Sequence, residues 1–303
     1  MLSRRTLLKS LALSPLAIPV SSLANAEPTA PSSNFLFSLN TSTISGQKLG
    51  LVKTLETAGR AGYDGVEVWL RDIEAYLEQG GTLAKLKQIL RDNKLEAFNA
   101  IGFAPWMAQD VQKSKSGFAQ MEKEMNMLAE IGCTRVAAPA IGTEAPVDPF
   151  EGGEKYAQLI ELGRKTGVMP QLEFWGAFKP FFHLSQALAV AAAANDPDAR
   201  LLPDIYHLFR GGSGFEGLKL LSGHAVEVFH LNDFTDQIPR LEQQDKNRIY
   251  PGDGVAPLND VMNTLKAMGG QKILSLELFN ESYWAMDANV VAKTGLQKMK
   301  NLI

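Results

Sequence analysis

The chain has 303 residues, 45% of them hydrophobic, and a formal net charge of −3. That gives enough apolar mass for one large α/β domain or two small ones, and too little charge to point to nucleic acid or an acidic surface as partner. The single cysteine, Cys133, excludes an intrachain disulfide and a cysteine-based metal site; just before an apolar run, it suits a small core residue.

Residues 1–26 read as an export signal. Paired Arg4 and Arg5 precede an apolar stretch interrupted by Ser14, Pro15 and Pro19, and Ala24-Asn25-Ala26 forms a small-residue cleavage pattern. The stretch is too short to span a membrane. Ser3-Arg4-Arg5-Thr6-Leu7-Leu8-Lys9 resembles the twin-arginine signal, differing in a leucine where phenylalanine is commonest. The resemblance implies a periplasmic protein exported already folded, with no membrane segment once the signal is removed. Residues 27–33, EPTAPSS, read as a Pro/Ser linker.

From residue 34 to 303 the pattern alternates. Short apolar runs (FLFSL, GVEVWL, LEAFNAIG, TRVAAPA, GVMPQLEF, RLLPDI, AVEVFHL, KILSLEL) are separated by segments of helical period such as 49–61, 83–93, 118–131, 156–166 and 182–194. Strands alternating with helices imply parallel pairing through right-handed crossovers. Eight such units in this length suit a single (β/α)8 TIM barrel. A doubly wound open sheet usually has a Gly-rich turn after its first strand, and NFLFSLNTSTISG has none.

The last four runs each end in a chemically capable residue: Glu173, Asp204, His230 and Glu277, spaced 31, 26 and 47 residues apart. In a barrel the C-terminal strand ends converge on one mouth, so these four would face one point. Three carboxylates that close repel one another unless a cation lies between them, and oxygen ligands with one imidazole suit Mg, Mn, Co or Zn.

GYDGVEVW after the first helix, Glu173, Asp204-x-x-His207, His230-x-x-Asp233 and Glu277 together resemble the xylose isomerase-like TIM-barrel family, which includes sugar and sugar-phosphate isomerases and epimerases, hydroxypyruvate isomerases and inosose dehydratases. The resemblance covers nearly all of residues 34–303. It implies that Glu173, Asp204, His230 and Glu277 hold one divalent metal. It also implies that Glu173 and Glu277 form an acid/base pair across the substrate, and that His207 binds a substrate oxygen.

Other residues are assigned more loosely. Glu67 ends the second run and would hydrogen-bond a sugar hydroxyl or orient a ligand. Trp69, Phe103, Trp106 and Trp175 follow strands two, three and five, where rings stack on sugars or simply pack. A long insertion follows strand seven. There the family often has an arginine shortly after the histidine, whereas this chain has Asp236 and Gln237. The contact is then lost, or supplied by Arg240 or Arg248, and Arg248 is the expected substrate contact. His183 and His224 read as surface or packing residues.

The leading expectation is a metal-dependent isomerase or epimerase of a free sugar, keto-sugar or small hydroxy-carbonyl compound, with a small carbohydrate as partner and a homo-oligomer compatible with the chain. The alternatives are a lyase or dehydratase acting on a polyol or 3-keto-glycoside, and an exported sugar-binding barrel without turnover. An abasic-site endonuclease shares this barrel, but its three zinc ions need more histidines than the four present, and no basic surface accompanies them.

Overall fold

The computed structural model describes residues 35–303. The export-signal and linker assignments, residues 1–33, lie outside the described residues. The strands are β1 (Phe35–Asn40), β2 (Gly65–Trp69), β3 (Glu96–Ile101), β4 (Arg135–Pro139), β5 (Met169–Glu173), β6 (Leu201–Leu202), β7 (Val228–Leu231) and β8 (Lys272–Leu276). Pairing is parallel, in the orders β3-β2-β1-β8-β7 and β4-β5-β6. The two sheets join where Asp204 bridges His230, with His230 N donating to Pro203 O at 3.0 Å. At the other seam β3 lies beside β4, and Arg135 Nη1 donates to Phe98 O at 3.4 Å. The result is a (β/α)8 barrel.

Strand β6 has only two residues because proline follows. Pro203 has no N–H to continue the ladder, so the chain turns at Asp204. Asp204 then N-caps helix α7 (Ile205–Gly211), its Oδ1 accepting from His207 N at 2.9 Å; here α1 to α6 denote Leu51–Ala61, Leu70–Glu78, Leu83–Asp92, Val111–Ile131, Pro149–Thr166 and Leu184–Ala193. Helices α4 and α5 start seven residues before their predicted positions, capped by Asp110 and Asp148. Helix α8 (Leu258–Met268), α9 (Glu281–Trp284) and α10 (Ala288–Lys300) complete the chain.

Strand period places the functional layer. Side chains alternate between the barrel interior and the helix layer, so Leu274, Leu276 and Leu278 join the main core while Ile273 joins a small interior cluster with Ala137, Leu202 and Val228. Above that cluster the same faces carry Asn40, Glu67, Asn99, His230 and Ser275, all fully buried.

A candidate metal centre at the barrel mouth

Glu173, at the end of β5, Asp204 after β6, His230 on β7 and Glu277 after β8 converge. His230 Nδ1 stands 3.3 Å from Glu277 Oε2, 3.5 Å from Asp204 Oδ2 and 3.9 Å from Glu173 Oε1. Ligand atoms bound to one ion at about 2.1 Å are about 3–3.5 Å apart, so Asp204 and Glu277 stand at ligand spacing from His230 Nδ1, and Glu173 stands farther out. Asp204, His230 and Glu277 each offer an atom within 4.8 Å of the others. Two buried atoms, His230 Nδ1, which faces the carboxylates, and Glu173 Oε2, on the carboxyl whose other oxygen faces that nitrogen, have no hydrogen-bond partner among the described residues. Buried polar atoms are normally satisfied, so these two mark a place for a cation.

The layer beneath holds these groups in place. His230 Nε2 meets Glu67 Oε1 at 2.9 Å, and Glu67 also accepts from Asn40 Nδ2, Asn99 Nδ2 and Ser275 Oγ, each at 2.7 Å. A carboxylate on the far nitrogen of a ligating histidine fixes ring and tautomer, directing Nδ1 at the ion. Asn40 Nδ2 donates to Glu277 Oε1 as well, at 2.9 Å, and Asn40 Oδ1 accepts from Trp69 Nε1 at 2.8 Å. Asn232 donates to both Asp204 oxygens.

Electrostatics separates the carboxylates. Burial pushes Glu173 up to about 8; His230 opposes the shift, while Glu277 and Glu67 add to it. Burial would raise Asp204 too, but Arg248, His207 and His230 outweigh it and hold it well below the usual carboxylate range. Glu67 is lowered, because His230 and its hydrogen bonds overcome burial. Burial would lower His230, but Glu67 and Glu277 raise it well above its ordinary value. Burial and Arg248 lower His207, which is therefore neutral near pH 7.

A cavity of about 460 Å³ opens over the cluster. Its walls include Trp69, Phe103, Trp175, His207, Arg248 and Phe279, with Glu173 and Glu277 at the floor. Trp69 lies 5.3 Å from Phe103, and Phe103 lies 6.0 Å from Trp175, centroid to centroid. His207 is positioned by close packing: Gly176 and Gly211 leave no room for a Cβ, and Gly176 N lies 3.2 Å from His207 Nδ1.

Two expected substrate contacts are corrected. Glu67 does not reach the cavity; it is wholly buried beneath His230 and acts on that ring. Trp106 packs against Tyr156 and Phe118, its Nε1 donating to Pro139 O at 2.9 Å, away from the mouth. Arg248 does line the cavity, although its donors are already engaged by Asp204, Glu277 and Asp245. Arg240 is exposed and donates to Arg210 O. His183 caps α6, and His224 meets Pro197 O. Asn40, Asn99, Asn232, Ser275 and Asp245 were not anticipated; the asparagine closing FLFSLN was the one available signal, a polar group ending an apolar run.

The model of the xylose isomerase-like TIM barrel family matches residues 55–302. The chain belongs to that family. It is 26% identical over 261 residues to an inosose isomerase of Bacillus velezensis, covering 84% of this chain and 92% of the relative. It is 24% identical over 269 residues to a 3-dehydroshikimate dehydratase of Pseudomonas aeruginosa, covering 86% of this chain and 41% of that protein. Among solved structures, the IOLI protein with a binding zinc atom superposes with a TM-score of 0.81 at 22% identity, covering 88% of this chain and 97% of that one.

Proposed function

We propose that the chain is a divalent-metal-dependent isomerase or epimerase of a free keto-sugar or inosose-like cyclic polyol ketone. A bound ion supplies Lewis-acid polarisation of the substrate carbonyl, which acidifies the neighbouring C–H. Asp204, His230, Glu277 and Glu173 would hold that ion, identified by its donor set as Zn, Mn, Co or Mg. The observation that carries the reading is Glu173: a buried carboxyl at the cavity floor, with one oxygen unpaired and the other 3.9 Å from His230 Nδ1.

A carboxyl placed there can take a proton from the carbon beside the substrate carbonyl and return it. Glu277 is the second carboxylate, across the centre, and returns or removes the proton on the opposite face. Its ties to Asn40 and Arg248 make it the more constrained of the two. Neutral His207 at the wall offers a hydrogen bond to a substrate oxygen. Trp69, Phe103 and Trp175 give an apolar wall for the C–H face of a ring.

The lyase alternative uses the same proton abstraction, with loss of a β-hydroxyl from a polyol ketone, or of the aglycone from a 3-keto-glycoside, in place of reprotonation; the dehydratase relative favours keeping it. Metal-loaded protein incubated with inosose, simple ketoses and 3-keto-glycosides in D2O separates the readings by NMR. Deuterium beside the carbonyl with the carbon skeleton intact marks the isomerase, and loss of water, or of the aglycone from a 3-keto-glycoside, marks the lyase. Binding without exchange in every substrate leaves only a sugar-binding barrel.

We place this activity in the periplasm on the strength of Arg4 and Arg5. Cell fractionation of the Arg4→Lys/Arg5→Lys variant tests it: the expected result is retention in the cytoplasm, and normal export of the variant would contradict it.

A further inference from the structure

The cavity contains a buried cation that proton transfer does not require. Arg248 is 1% exposed, and its Nη1 donates to Asp204 Oδ2 at 2.8 Å and Glu277 Oε2 at 2.7 Å. Those same two oxygens face His230 Nδ1. The other edge of the guanidinium is tied to Asp245 Oδ1, by Nη2 at 2.6 Å and Nε at 3.1 Å. The rings of Tyr206 and Phe279 lie 4.7 and 5.1 Å from Cζ. The backbone is pinned on both sides: Asn280 Nδ2 donates to Arg248 O, and Ile249 bridges Asp233.

We infer that Arg248 is a resident counter-cation that competes with the divalent ion for Asp204 and Glu277, so that the chain binds its metal more weakly than its ligands alone would. The inference rests on the reading of this site as a metal centre. A carboxylate oxygen shared between a guanidinium and a divalent ion gives less to each, and two positive charges a few ångströms apart in a buried site are poorly screened. Asp245 gives Arg248 a second anchor at the rim, so the side chain has a place to remain once its ligand contacts are weakened. Nη1 is then available to an oxygen of a molecule in the cavity.

One contact marks the arrangement as easily disturbed. His207 Nε2 lies 3.1 Å from Arg248 Nη2 while its Nδ1 lies 3.2 Å from Gly176 N. A neutral imidazole accepts at only one nitrogen, and both neighbours are donors. One of these contacts is therefore always unsatisfied, and movement of Arg248 relieves it.

The test is competition between the protein and a chromophoric chelator for Zn²⁺ and for Mn²⁺, in wild type, Arg248→Gln and Arg248→Lys. Glutamine keeps an amide donor and removes the charge; lysine keeps the charge. The expected result is binding at least about tenfold tighter in Arg248→Gln and within about threefold of wild type in Arg248→Lys. Equal or weaker binding in Arg248→Gln overturns the inference, as does equal tightening in both variants. If wild type and variants alike bind neither ion, the metal-centre reading itself fails. Should Arg248→Gln not fold without metal, ¹⁵N-arginine NMR of the wild type decides. A buried guanidinium signal that shifts on Zn²⁺ saturation supports competition, and one that does not move overturns it.

Discussion

In the metal-free chain Glu173 holds its proton where most glutamates are charged, because burial, with Glu277 and Glu67 nearby, disfavours a further negative charge. Its folded affinity for protons, about 8, exceeds the ordinary glutamate value of 4.5, so the folded chain binds more protons than the unfolded one between those limits. This contribution to stability is complete below about 4.5 and is lost as pH rises through about 8. In chelator-treated protein the melting temperature should therefore fall across that window, with a shallower fall in Glu173→Gln; equal slopes would contradict the assignment. The turnover of Glu173→Gln should drop by roughly 10²–10⁴-fold, since the positioned base is gone. Glu67 acts one layer down. Glu67→Gln keeps the packing but no longer holds the His230 proton firmly, and metal affinity should fall about 10–100-fold by chelator competition.

At the scale of elements, the convergence of Glu173, Asp204, His230 and Glu277 was legible because each closes an apolar run at the same end of a strand. The supporting layer was not. Asn40, Asn99 and Ser275 are residue types that read as turn formers or weak strand residues, and only the interior-facing register reveals that they meet at Glu67. Arg248 was legible as a residue of interest but not as a partner of Asp204 and Glu277, because the segment between β7 and α8 folds back. That return is built on Asp233, which accepts from the backbone N–H groups of Phe234, Gly252, Gly254 and Ala256 at 2.8–3.0 Å. Gly254 has no space for a Cβ beside that carboxylate. Asp233→Ala should cost about 3 kcal/mol by leaving these donors poorly satisfied, which is a drop of roughly 5–10 °C in melting temperature. It should also loosen Arg248, whose neighbour Ile249 pairs with Asp233. An unchanged melting temperature would show that the loop holds itself.

For the whole molecule, the alternation of eight apolar runs with helical segments is enough to specify the barrel, since parallel strands joined by helices have few other closures. The short β6 and the early starts of α4 and α5 escape that reading. Pro203 ends the first locally, and Gly152 and Gly153 break the apolar period at the start of α5. The barrel brings Glu173, Asp204, His230 and Glu277 together from four separate strand ends, so an ion held there, as proposed, would tie β5 through β8 together. Metal at about a hundred times its dissociation constant should stabilise the fold by about 2.7 kcal/mol, raising the melting temperature by roughly 5–10 °C, reversibly with a chelator.

The most direct measurement is elemental analysis of the purified protein beside a Glu173→Gln/Glu277→Gln variant of confirmed fold. One equivalent of Zn, Mn, Co or Mg per chain in the wild type, lost in the variant, is the expected result. No metal in the wild type after incubation with those ions, or full retention in the variant, would contradict a metal centre built from these strand ends.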